Sequence, residues 1–351
     1  MRIAIRHEDL IIEPNGEISG HDAGTNLVKR LLRVFPGSIL VGSQPARHPD
    51  FEVAPLDQLA ADDTLLINMN VIDSVSAWRT LSAQTASPRI MNFVWWDTTR
   101  FRDKVEQAEL ALSCALFPTF ANSERTARAI AELVGRLAVK PLAERARISG
   151  VNLGIRLERV QSRHEPKVPV VLYPAIYVSA RKQPRLFIDV VTKVARKTEI
   201  QVEARLTEAH LVSEPAMELS RQRWASVGPL KPSREEYWDA LSHTTAFLAT
   251  AEEESYGLEY IEALLAGAVG VFPDRSWARA LLPAKYPFLY TTPGQAEAML
   301  LRAVTDTEAC RRELDQSVEG SFDDWLRAHH DDDAFESAVA EHVRRWFGPV
   351  G

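Results

Sequence analysis

Glu254 and Glu262 stand eight positions apart in the run Thr250 to Pro273, TAEEESYGLEYIEALLAGAVGVFP. A strand-like stretch over 245–249 leads into this acidic loop, and a helix is expected to begin near Tyr256-Gly257. Leu258, Ile261, Leu264 and Leu265 give that helix an apolar face; Gly267 ends it, and 268–272 forms the next strand. A helix start offers unpaired backbone N–H groups and the positive end of a dipole. The amides of Gly257, Leu258 and Glu259 can therefore face a diphosphate. Gly257 has no side chain to keep a phosphate at a distance. Glu254, just before the helix, can accept hydrogen bonds from sugar hydroxyls. Glu262 lies about five residues further in, roughly 7–8 Å along the axis at ~1.5 Å per residue. That offset matches the separation of a diphosphate from a ribose, whose two hydroxyls one carboxylate can hold. By themselves the same residues also fit an acidic helix flank, Glu252 to Glu254, followed by a solvated glutamate.

The elements that must position these residues alternate between strand and helix along the whole chain. Strands are expected over 38–42, 64–68, 90–95 and 115–117, with helices over 26–34, 103–112 and 123–135 between or after them. Ser123 is a candidate cap for the last of these helices. The pattern pauses at 148–154, and 156–167 is polar without a clear period, as expected of a linker. A second round then begins: strands over 168–173, 199–204, 224–227 and 245–249, with helices over 184–195, 214–223 and 235–241. Such alternation predicts parallel sheets covered on both faces, here two doubly wound α/β domains. The expected domains are 1–155, 156–333 and a C-terminal helix over 334–351 that packs back on the first. In folds of this kind a ligand lies at the carboxyl ends of the strands, in a cleft between the two halves.

Bulk properties narrow the function. The chain has 351 residues, 46% hydrophobic and 25% charged, enough for two cores. The net charge of −7 and the lack of a basic stripe argue against a nucleic-acid partner. Two distant cysteines, Cys114 and Cys310, fit buried reduced thiols in the cytoplasm. The opening residues alternate like a strand rather than a signal peptide, and no apolar run is long enough to span a bilayer. Asp323-Asp324 and Asp331 to Asp333 are expected to be helix caps and surface charge, so no metal site is assigned. The end of the last helix, 343–347, offers at most a peripheral membrane contact.

The run Glu254-Ser255-Tyr256-Gly257-Leu258 followed by Glu262-Ala263-Leu264 resembles the E-x7-E signature of family 4 glycosyltransferases, which reads E-x-F/Y-G-L-x-x-x-E-A. The resemblance implies a retaining enzyme of the GT-B fold, with two Rossmann-like domains facing a cleft. It places Glu254 on the donor sugar, Glu262 on the ribose, and Ser255, Tyr256, Gly257 and Leu258 around the diphosphate. Segment 170–190 resembles the family's G-R-x(4)-K-G region. Lys182 falls on its lysine; Tyr177 stands near the arginine's place, leaving Arg181, with Arg185 as the poorer alternative. Segment 224–230 resembles the strand and loop beside the base, implying contacts at Pro229 and Leu230. The loop 20–26 resembles the family's glycine-rich loop, with Gly24 near the distal phosphate and His21 read as a surface histidine. Segment 90–97 ends in Trp96-Asp97 where the family often has a histidine, which makes Asp97 a further candidate at the sugar. Trp95 and Trp96 fit either an acceptor platform or core packing.

The implied reaction moves a hexose from a nucleotide sugar to a sugar, oligosaccharide or polysaccharide hydroxyl, with no cofactor and no metal. Segment 269–295 resembles a mannosyltransferase branch, which favours GDP-mannose; UDP-glucose is the alternative. A nucleotide-sugar 2-epimerase and a non-catalytic nucleotide-sugar sensor are the competing classes. A nicotinamide dehydrogenase fits less well, because no G-x-G-x-x-G follows the first strand.

Overall fold

The computed structural model describes residues 1–8, 10–13, 15–20 and 23–350. The chain divides into two compact units, one of Met1–Leu153 with Asp333–Gly351 and one of Gly154–Asp332. It therefore passes between them twice.

The first unit is built from β1 (Arg2–Arg6), α1 (Ala23–Val34), β2 (Ile39–Val41), β3 (Ala46–Arg47), β4 (Glu52–Ala54), β5 (Thr64–Asn68), α2 (Ser74–Ser82), β6 (Arg89–Val94), α3 (Lys104–Leu116), β7 (Thr119–Ala121), α4 (Glu124–Leu137) and β8 (Ile148–Gly150). Its sheet runs β8-β7-β6-β5-β1-β2-β4-β3, parallel except for the β3–β4 pair. β5, TLLIN, is buried at every position, as a central strand covered on both faces must be. Expectation and structure part at 115–117. Ala115 belongs to α3, whose buried Leu110, Ala111, Cys114 and Ala115 keep a helical period; Pro118 follows and the strand begins at Thr119.

Polar groups inside this unit satisfy one another. Asn68 Nδ2 donates to Ser74 Oγ at 2.8 Å, Ser74 Oγ donates to Asn92 Oδ1 at 2.5 Å, and Asn92 Nδ2 reaches Ser113 at 3.2 Å. Two strands and two helices are thereby tied together by side chains that would be costly to bury alone. Ser123 does cap α4, accepting from Thr126 N at 3.0 Å.

The second unit comprises β9 (Val170–Tyr173), α5 (Pro184–Ala195), β10 (Gln201–Leu206), α6 (Glu214–Ser220), β11 (Ala225–Pro229), α7 (Arg234–Ser242), β12 (Ala246–Leu248), α8 (Leu258–Leu265), β13 (Val269–Pro273), α9 (Ser276–Leu281), β14 (Leu289–Tyr290), α10 (Pro293–Thr305), α11 (Thr307–Ser317) and α12 (Phe322–His329). Its six strands are all parallel in the order β11-β10-β9-β12-β13-β14. Counted along the unit this is 3-2-1-4-5-6, the doubly wound Rossmann order. Order reverses between β9 and β12. The core beside that point is aromatic: Tyr260 lies 5.9 Å from Phe247 and 5.2 Å from Trp277, and Phe272 meets Phe247 edge-on at 5.2 Å.

Helix α13 (Asp332–Phe347) begins at the second crossing and lies almost wholly in the first unit. Phe335, Val339 and Val343, one turn apart, are fully buried. Phe335 meets Phe93 and Phe120 edge-on at 6.2 and 6.0 Å, and His342 bonds Ser149 Oγ at 2.8 Å. Val343, which the sequence left open to a lipid surface, is thus inside the core. Among the described residues no helix is long and apolar enough to cross a membrane. Asp332 is 4% exposed and faces Arg156 Nε at 3.7 Å, so this part of the acidic run is not the surface charge that the sequence pattern predicts.

Candidate functional site

Two loops leave the sheet where strand order reverses. One follows β9 and ends in a tight turn, Ala180–Lys182; the other follows β12 and ends at Gly257. Thr250 Oγ1 donates to Lys182 O at 2.6 Å, Glu252 N donates to Arg181 O at 2.9 Å, and the Gln183 amide donates to Glu252 at 2.6 Å. Gln183 itself is left-handed, φ 46°. This strained link fixes the turn that carries Lys182 against the loop that carries Glu254.

Lys182 and Glu254 form a buried ion pair, Nζ to Oε1 at 2.5 Å, with side chains 6% and 13% exposed. The Tyr260 hydroxyl donates to the same Oε1 at 2.9 Å, and Lys182 lies over the Tyr177 ring at 5.3 Å. Burial works against the ammonium, but Tyr260, Glu254, Glu259 and Tyr177 outweigh it and hold the Lys182 pKa well above its ordinary value. Burial, then Glu254, pushes Tyr260 well up, so its hydroxyl keeps its proton and donates. Glu259, in the first turn of α8, is also pushed up, by burial first, with Lys182 opposing and Glu254 adding.

Glu262, one turn further into α8, is 6% exposed and therefore not the solvated glutamate of the plainer pattern. Both its oxygens are held from α7: Tyr237 OH donates to Oε2 at 2.6 Å, and Arg234 Nη2 pairs with Oε1. Arg234 is half exposed, 47%, and its guanidinium lies over the Tyr237 ring at 4.6 Å.

The other candidate residues of this unit have contacts of their own. Gly257 caps α8 at φ 94°, and a Cβ there would stand 2.6 Å from the Tyr260 ring. Leu258 opens the helix, and Ser255 is half-buried in the loop before it. Tyr256 turns inward: its hydroxyl bonds His330 Nδ1 at 2.5 Å, and His330 Nε2 reaches Leu281 O at 3.1 Å. Its ring is a structural tie, not a wall of the site. Pro229 ends β11 with Leu230 next to it; Arg205 packs over the neighbouring Gly228 and pairs with Glu203 at 2.6 Å. Arg181 is half-buried, with its charge beside the Tyr177 hydroxyl. Arg185 pairs with Glu214 and Glu218 on α6, which takes it away from Lys182.

Gly24 and Asp97 belong to the first unit. Gly24 lies in the first turn of α1, where a Cβ would collide with His7 and Trp95. Asp97 accepts from Thr99 N at 2.7 Å and pairs with Arg125 at 2.9 Å, holding the turn Thr98–Arg100. Trp96 packs on Phe101 at 4.7 Å. His21 lies outside the described residues.

No protein-family model matches the sequence, and neither does any curated protein. Solved structures do match. HepE from Anabaena, in complex with UDP and glucose, is 14% identical, with 98% of this chain and 100% of that chain covered and a TM-score of 0.68. A UDP-forming trehalose-phosphate synthase from Burkholderia vietnamiensis is 9% identical, covers 98% and 97%, and has a TM-score of 0.69. Sucrose-phosphate synthase from Thermosynechococcus elongatus is 13% identical, covers 99% of both chains, and has a TM-score of 0.66. The chain has the GT-B fold. Within this GT-B chain, Tyr260, Tyr237, Arg234 and His330 are neighbours of these residues that the sequence did not single out. Tyr260 was findable, because it sits on α8 six residues after Glu254. Arg234 and Tyr237 were not, because only the strand order brings α7 beside α8.

Proposed function

We propose that the protein is a retaining glycosyltransferase that moves a hexose from a nucleoside diphosphate to a sugar, oligosaccharide or polysaccharide hydroxyl. The observation that carries this is the Lys182–Glu254 pair beside the start of α8, with buried Glu262 one turn further in, all at the point of strand reversal. In the proposed roles, Glu254 accepts from donor-sugar hydroxyls and Glu262 from the ribose. Lys182 and the amides of Gly257 and Leu258 stabilise the departing diphosphate, with Ser255 and Arg181 beside it and Pro229 and Leu230 at the base. The bond from the anomeric carbon to the β-phosphate oxygen breaks, and the acceptor oxygen bonds to that carbon on the same face. The acceptor proton passes to the leaving phosphate. No cofactor enters this scheme. Asp97 is left out because its oxygens hold a turn.

We place UDP-glucose first as donor, because HepE was solved with UDP and glucose and a trehalose-phosphate synthase of the same fold is named UDP-forming. GDP-mannose, which segment 269–295 favoured, is second. A cytoplasmic site of action goes with either. The test is thermal stabilisation by UDP-glucose, GDP-mannose, UDP and GDP, on the wild type and on Glu262→Ala. A ligand at a hundred times its dissociation constant adds about 2.7 kcal/mol. Stabilisation by one nucleotide pair, lost in Glu262→Ala, supports the assignment, and turnover with that donor then identifies the sugar. A folded wild type that responds to none of the four overturns it.

A further inference from the structure

Glu262 is 8% exposed beside an Arg234 that is 47% exposed, and Tyr237 holds its other oxygen, so a ribose that reaches this carboxylate from solvent must move a side chain aside. The two partners differ in what leaving costs. Tyr237 is partly buried on α7, and a hydroxyl stripped of its acceptor there pays its full desolvation. Arg234, at the first position of the same helix, is half in water, and an ion pair at that exposure is easily exchanged. The ribose therefore takes Oε1, and the guanidinium is displaced from it and from its place over the Tyr237 ring.

Charge says where it goes. The neighbouring cation, Lys182, is committed to Glu254, and Glu259 adds a further carboxyl to the first turn of α8. Tyr177, under Lys182, brings no charge. A diphosphate adds at least two negative charges to this neighbourhood. It is joined to the ribose through one methylene and one oxygen, so a group pushed off Glu262 by the ribose lies next to the phosphates. A guanidinium fork fits a phosphate in two-point fashion.

We propose that Arg234 is an exchangeable cation of the donor site: it covers Glu262 Oε1 until the ribose displaces it, and then binds the diphosphate. Arg234 thereby makes the site select nucleoside diphosphates over nucleosides. This rests on Glu262 being the ribose carboxylate.

The experiment is calorimetric titration of UDP and uridine, with GDP and guanosine in parallel, into wild type, Arg234→Gln, Arg234→Lys and Glu262→Gln, each checked by circular dichroism. Arg234→Gln is expected to weaken the diphosphate roughly tenfold, the size of one charged hydrogen bond, and to tighten the nucleoside a few-fold, because the guanidinium no longer has to be displaced from Oε1. Arg234→Lys is expected to recover part of the diphosphate affinity. Equal weakening of both ligands would make Arg234 a mere prop for Glu262 and overturn the proposal, as would no change in either. Those results leave the ribose role of Glu262 standing if Glu262→Gln weakens both ligands. If Glu262→Gln changes nothing, or the wild type binds none of the four, the ribose role falls and the proposal falls with it.

Discussion

At the scale of single residues, the buried pair Lys182–Glu254 sets the first expectation. Removing one member strands the other charge out of water, so Lys182→Ala is expected to cost about 3–5 kcal/mol in denaturant unfolding. The double change Lys182→Met with Glu254→Gln is expected to return most of that stability without returning transfer. Tyr260→Phe keeps the ring against Phe247 and Trp277 and removes one bond to Glu254. It should fold normally and lose roughly ten- to hundredfold in kcat, the worth of one hydrogen bond to a charged group. His330 gives a pH test. Burial pushes it from 6.5 down to about 4, with the bond to Leu281 opposing. Between those values the unfolded chain binds the extra proton, so stability is whole above pH 6.5 and falls as pH drops toward 4. The loss is about 3 kcal/mol for a shift of this size. Urea unfolding at pH 7 and pH 4.5 should show it in the wild type and not in His330→Asn. What was legible at this scale was the pair of glutamates and the lysine, because their spacing is a local pattern. Arg234, Tyr237 and His330 are distant in sequence from what they touch, and no spacing rule encodes those contacts.

At the scale of elements, the turn at Gly257 is the sensitive joint. A positive φ of 94° costs an L-residue about 1–2 kcal/mol, and the added methyl would also press on Tyr260. Gly257→Ala should therefore lower the melting temperature and, by moving Tyr260, weaken donor binding more than a surface change of equal stability cost. Most elements were legible because strands of continuous apolar residues and helices of period 3.6 read differently. The exception at 115–117 is instructive. Ala115, Leu116 and Phe117 look like a strand, yet the first two finish α3 and Phe117 follows its end, since the two patterns coincide over so few residues. The 3-2-1-4-5-6 order was not in any one segment. It follows from how right-handed crossovers pile up, and it alone puts the Lys182 turn beside the Glu254 loop.

At the scale of the whole molecule, the two crossings at 153–154 and 332–333 are the main fact. Ile155 pairs with Asp331, Ile155 N donates to His330 O at 2.7 Å, and a side chain at Gly154 would collide with the Asp331 backbone. Ending the chain at Asp331 would remove α13 and with it Phe335, Val339 and Val343. Hydrogen exchange is then expected to rise across β6, β7 and β8 while β9 to β13 keep their protection. The same helix has a consequence for biosynthesis. The first unit leaves the ribosome without the α13 side chains, Phe335 and His342, that pack on Phe93 and Phe120. At about 5–20 residues per second, translating 154–332 takes roughly 10–35 s. Through that interval a nascent sheet must wait, with part of its apolar face uncovered, for a helix encoded after the entire second unit.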